Sequence, residues 1–126
     1  MLASDVSAER RAGLDQQAQM TALNKSLAVI GLTPQGEIIT ANSNFLAAVG
    51  YSLPQIKGKH HRIFCTDTFY QQNPNFWLEL GRGELKAGQF DRLDSQGRII
   101  WLEATYNPIF DEQGKVTKVV KFASDI

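Results

Sequence analysis

With 126 residues, 43% of them hydrophobic and 21% charged, the chain has the size and composition of one globular domain with its own core. Thirteen Lys and Arg side chains cancel thirteen Asp and Glu, so no overall field exists to recruit nucleic acid or an anionic membrane surface. No apolar run reaches the roughly 18–20 residues of a bilayer span. The first residues are too charged for a signal peptide, and the lone Cys65 excludes an internal disulfide, which together suit a reducing, cytoplasmic setting.

Residues 4–25 are polar, free of Pro and rich in helix formers, with Met20, Leu23 and Leu27 as a thin apolar stripe. They read as a linker or cap helix over 1–26, suited to docking on a sheet or to pairing with a second copy, and 27–126 as the domain proper. Residues 27–32 form a short apolar strand, turned by Thr33-Pro34-Gln35-Gly36, and 37–41 return as a second strand. Asn42 then caps a short helix over 43–49 that Gly50 ends in the left-handed conformation. Ser52 caps another helical turn through Lys57, stopped by Gly58; residues 60–66 supply one more turn. Asn73-Pro74 is expected to start the next helix, which carries Phe76, Trp77 and Leu80.

Three antiparallel strands close the chain, over 86–93, 98–110 and 115–126. They are separated by the turn sequences Asp94-Ser95-Gln96-Gly97 and Asp111-Glu112-Gln113-Gly114. The class is therefore α+β: a five-stranded antiparallel sheet with short helices on one face and an N-terminal helix. Ending at Asp125-Ile126 with neither cap nor tail, the chain reads as a module of a longer protein.

In detail the sequence resembles a PAS domain. The likeness is carried by Ala41-Asn42-Ser43-Asn44-Phe45, Gly50-Tyr51-Ser52-Leu53, Ile56-Lys57-Gly58 and His61-Arg62-Ile63. It continues through Trp77-x-x-Leu80-x-x-Gly83-Glu84, Gly88-x-Phe90, Gly97-x5-Glu103-Ala104-x3-Pro108-Ile109 and the terminal Asp125-Ile126. Among PAS domains it is most similar to those of bacterial methyl-accepting chemotaxis proteins of the aerotaxis and biofilm-dispersion type. That resemblance implies a cytoplasmic sensory module for redox state, oxygen or a small ligand, whose output passes to neighbouring signalling domains. The apolar stripe of the N-terminal helix makes a homodimer through that helix the expected assembly. A ligand-free dimerisation and interaction module is the alternative from another class.

The resemblance also implies candidate cofactors. FAD is the first: His61 and Arg62 fall on the helix bordering the flavin ring, and Trp77 on a helix tryptophan of the aerotaxis receptors. Flavin-binding relatives carry Trp where Lys86 stands and Asn where Arg92 stands; Arg92 keeps a donor but cannot accept. Haem b is the second, because His60 and His61 fall where oxygen-sensing relatives place the axial ligand. Adjacent helical residues diverge by roughly 100°, so only one of the pair faces inward; His61 is the expected one, and the metal ligand if haem is bound. The cysteine of light-sensing relatives falls at His61, which excludes their photochemistry, and Cys65 reads as a small buried hydrophobe. A smaller ligand, or none, is the third case. Strand alternation puts Leu102, Ala104 and Tyr106 on one face and Trp101, Glu103 and Thr105 on the other, and the resemblance aims the first set inward. Catalysis finds no support: the sequence has no phosphate-cradling Gly-rich motif, no HExxH and no paired-Cys metal site.

Overall fold

The computed structural model describes residues 27–126, and the expected N-terminal helix lies outside them. Two early strands, β1 (Ala28–Leu32) and β2 (Ile38–Ala41), are followed by four short helices and a 3-10 turn. These are α1 (Ser43–Val49), α2 (Leu53–Ile56), the 3-10 turn His61–Phe64, α3 (Asp67–Gln72) and α4 (Phe76–Gly81). The chain then returns through β3 (Lys86–Leu93), β4 (Ile99–Phe110) and β5 (Val116–Asp125). The sheet runs β2-β1-β5-β4-β3, antiparallel throughout, so the last strand enters between the first and the fourth.

Local chemistry explains the boundaries. The Asn42 side chain accepts from Phe45 N at 3.0 Å as the cap of α1 and from Val29 N at 2.9 Å, tying that helix to β1. Gly50 ends α1 at φ 74, where a side chain would be strained. Both late hairpins use the same device. Asp94 Oδ1 accepts from the amides of Gln96 and Arg98, and Asp111 Oδ1 from those of Gln113 and Lys115. Those bonds, the Arg98 amide first, hold the Asp94 carboxyl below its ordinary value.

One expectation is corrected. Asn73-Pro74 does not open a helix; Asn73 closes α3, its amide and side chain both bonding the Phe69 carbonyl, and α4 begins at Phe76. The helix over Asp67–Gln72 was not expected from the sequence. It forms because Thr66 and Asp67 suit a first turn and because Phe69 supplies a buried anchor.

Strand alternation sorts the long strands as expected. Leu102, Ala104 and Tyr106 are buried toward the helices, while Trp101 and Phe110 stand 52% exposed on the same strand. Apart from the β4 set, the core gathers Ile30 and Leu32 from the sheet with Phe45, Val49, Ile56, Phe64, Phe76 and Leu80 from the helical layer. The space between the two layers is where the unusual chemistry sits.

Candidate functional site

Four polar side chains meet in this otherwise apolar interior. His61 from the 3-10 turn, Arg92 from β3, Tyr106 from β4 and Lys121 from β5 are each 0 or 1% exposed. Tyr106 and Lys121 are register partners on adjacent strands, so the pairing of β4 with β5 fixes their approach.

The bonds form a chain. Arg92 Nη2 donates to the Tyr106 hydroxyl at 2.9 Å, and that hydroxyl lies 3.3 Å from His61 Nε2. Lys121 Nζ lies 3.1 Å from the same nitrogen. On its far side His61 Nδ1 lies 3.4 Å from Cys65 Sγ, whose thiol points to the His61 carbonyl at 3.7 Å. One assignment satisfies all these contacts. His61 is neutral with its proton on Nδ1, and the single Nε2 lone pair is shared between the donors of Lys121 and Tyr106.

The electrostatics agree. Burial, then the charges of Lys121 and Arg92, hold the His61 imidazole well below its ordinary value. Burial and then Arg92 hold the Lys121 ammonium well below its own, which favours the neutral amine. Burial raises Tyr106 and Cys65, so both stay protonated, and the Cys65 thiol is not poised as a nucleophile. Arg92 cannot deprotonate, and its charge rests on ring faces instead: Cζ lies 4.3 Å from the Phe69 centroid and 4.8 Å from that of Phe90. Its Nη1 bonds the Asp91 carbonyl, but Nε is buried without a hydrogen-bond partner.

Tyr106 is the hub of the aromatic wall, with edge-on contacts to His61, Phe76, Trp77 and Phe90 at 4.9–6.1 Å between centroids. The Trp77 indole donates to the Tyr70 hydroxyl at 2.9 Å, and the Tyr70 phenol is pushed up to about 12, chiefly by burial. On its other side Trp77 lines a surface cleft of about 750 Å³ shared with Pro34, Leu78, Arg82, Asp111 and Lys115. That cleft holds none of the buried polar groups; Trp77 borders both.

Of the residues singled out in the sequence, His61, Arg92, Leu102, Ala104 and Tyr106 come together inside, and Trp77 closes one side. Arg62 does not join them. It is exposed and lies over the Tyr70 ring at 5.1 Å. His60 faces away too: its Nδ1 accepts from Arg62 N at 3.0 Å and its Nε2 meets the Gln35 carbonyl at 2.9 Å. Lys121 was missed. Its signal was present, since alternation places it on the face of the buried Val119 and Ala123.

Flavin and haem meet a filled interior. A flavin or porphyrin plane would have to displace Tyr106 and a Phe ring, and the nitrogen that an iron needs is already engaged by Lys121 and Tyr106. The residues as placed do not fit either group. Among the described residues no set of three His, Cys, Asp or Glu side chains is arranged to hold a metal ion.

Comparison with known proteins gives a consistent answer. The PAS fold family profile matches residues 38–123. Biofilm dispersion protein BdlA of Pseudomonas aeruginosa is 42% identical over 98% of this chain, which spans 30% of that protein. The bacterioopsin transcriptional activator of Halobacterium salinarum is 28% identical over 98% of the chain, which spans 18% of it. Among solved structures, a PAS domain from Colwellia psychrerythraea superposes with a TM-score of 0.72 at 25% identity, covering 90% of this chain and 96% of its own. An RNA-binding light-oxygen-voltage receptor gives 0.76 at 19% identity over 90% of this chain and 33% of its own, a likeness of fold alone.

Proposed function

The chain belongs to the PAS fold family, and from that premise we propose that it is the cytoplasmic sensory module of a chemoreceptor-like signalling protein, reading a small ligand held between sheet and helices. One observation carries the reading. Burying a guanidinium, an amine, an imidazole and a phenol together costs stability that an apolar core of equal volume would not. Such a cluster is explained by a task.

The mechanism follows from where its members sit. Tyr106 and Lys121 lie on β4 and β5, whose opposite faces carry Trp101 and Phe122. A ligand that rearranges the bonds at His61 Nε2 shifts these strands against each other, and the outer face passes the shift on to the rest of the chain. The neighbouring signalling domains of the full receptor receive it from there. The ligand's differential affinity for two arrangements sets the size of that response. In this role the module binds and transmits, and it catalyses nothing.

The packed ring cluster favours a second reading, a ligand-free homodimerisation module whose contacts run through the N-terminal segment and the outer face. Native mass spectrometry and a visible absorption spectrum of freshly purified protein separate the two. The sensory reading expects a noncovalent adduct that leaves on denaturation, without a Soret or flavin band. Protein that carries its bare mass, and takes up no fraction of a cell metabolite extract, belongs to the dimerisation reading.

A further inference from the structure

We propose that the interior group is a site for a small aromatic carboxylate, bound between Arg92 and Lys121. This rests on the reading of the interior as a ligand site and adds the chemistry of the ligand.

The charge count is one-sided. Among the described residues the ion pairs join Lys86 to Glu79 and Arg98 to Asp94, so neither Arg92 nor Lys121 has a carboxylate partner. The groups facing Lys121 are His61 from the 3-10 turn, Tyr106 from β4 and the Phe45 ring from α1, none of them an anion. Cys65 and Arg92 complete its surroundings, the first a protonated thiol and the second a cation.

The donors have a carboxylate's geometry. Arg92 Nε–H is buried and unbonded, and it lies beside Nη2 on one edge of the guanidinium, the edge that takes a carboxylate in a fork. One carboxylate oxygen on that edge fills the empty donor, and the Tyr106 hydroxyl turns to donate to it. Lys121 then recovers its proton, because an anion in a dry site stabilises the ammonium that burial suppresses. A cationic ligand is repelled here, and a neutral one leaves both basic groups uncompensated.

The walls select the remainder. Phe69 and Phe90 cover the guanidinium and Phe45 the amine, which suits a flat apolar body. Trp77 gives the route, since its indole borders His61 on one side and the 750 Å³ cleft on the other. Arg82 and Lys115 line that cleft, beside an Asp111 carboxylate already engaged by two backbone amides.

The test uses benzoate, benzamide and benzylamine as probes, followed by calorimetry and by Trp77 fluorescence in a Trp101→Phe background. Benzoate is expected to bind and change the Trp77 emission, with benzamide at least tenfold weaker and benzylamine silent. Calorimetry in buffers of differing ionisation enthalpy is expected to show uptake of about one proton per benzoate, and affinity should fall as pH rises. Lys121→Met should cost at least tenfold in benzoate affinity, and Arg92→Gln likewise. Lys121→Met removes a buried amine whose charged form burial disfavours, so it is expected to fold at least as well as the parent, and the test survives a failure of the Arg92 variant. Equal binding of benzamide and benzoate, or benzoate affinity unchanged in Lys121→Met, overturns the carboxylate site while a ligand-binding interior stands. No binding of any probe also overturns it; only a protein empty as purified takes the sensory reading with it.

Discussion

His61 Nε2 and Lys121 Nζ lie 3.1 Å apart, both fully buried, sixty residues apart in sequence and brought together by the insertion of β5 at the centre of the sheet. Two groups that would each carry a proton in water at some pH near neutrality or above are instead held neutral, one accepting from the other. This makes stability a function of pH in a predictable sense. The folded values of both groups lie below the unfolded ones, so the unfolded chain binds more protons and stability rises with pH.

For His61 the stability is fully present above the unfolded value of about 6.5 and is lost as pH falls below it, by about 1.4 kcal/mol per pH unit for one proton. Denaturant titrations between pH 7 and 5 are expected to show this slope, and His61→Phe to flatten it. His60, also lowered chiefly by burial, contributes a smaller share that the variant retains.

Lys121 acts at the other end of the scale. At pH 7 its unfolded form is protonated and its folded form resists protonation, so the wild-type chain pays a penalty that fades only as pH approaches about 10. Lys121→Met should raise unfolding free energy at pH 7 by on the order of 1–3 kcal/mol, a gain that narrows on going to pH 10. A variant less stable than the parent at pH 7 would mean that the amine's bond to His61 outweighs its burial.

Tyr106→Phe tests the middle of the chain of bonds. It keeps the ring and its four edge-on contacts but leaves Arg92 Nη2 without its acceptor, in a site where Nε already lacks one. The expected loss is about 1–3 kcal/mol by chemical denaturation. A loss of a few tenths would show that water reaches the guanidinium.

Much of this was legible in the sequence, and the exceptions have physical causes. The strands β3 to β5 announced themselves because two Asp-x-x-Gly turns bracket β-branched runs, and Asn42 with Gly50 marked both ends of α1. Alternation on β4 sorted its two faces, and the resemblance to PAS domains aimed Leu102, Ala104 and Tyr106 inward, with Trp101 left outside. The helix α3 was not legible, since its six residues carry too short a pattern and Asn73 is as good a stop as a start. Lys121 escaped because a lysine between valines and a phenylalanine ordinarily marks the solvent face. Its inward aim depends on Tyr106 and His61, which meet it through pairing and a turn that no local pattern encodes.

Gly36 is a sharper test of the same corner. It sits at φ 94 in the turn between β1 and β2, and an added Cβ would come 2.6 Å from the Trp77 ring and 2.7 Å from His60 Nε2. Gly36→Ala therefore combines a left-handed alanine, costing about 1–2 kcal/mol, with displacement of the indole that closes the interior. A fall in melting temperature with a red shift of Trp77 emission, read in the Trp101→Phe background, is the expected result.

Trp101, Ile99 and Ile109 leave β4 with exposed apolar surface that the helical layer does not cover. The sequence stripe Met20, Leu23 and Leu27 has the matching chemistry, and Leu27 lines one shallow pocket with Thr105 and Phe122. If this stripe joins two copies, Met20→Asp with Leu23→Asp should lower the mass seen by light scattering toward that of one chain, while leaving the fold's circular dichroism intact. Trp101→Arg, on the sheet side of the same contact, should act in the same direction, because a charge facing an apolar stripe is desolvated without a partner. A mass that neither change alters removes the N-terminal segment from the interface.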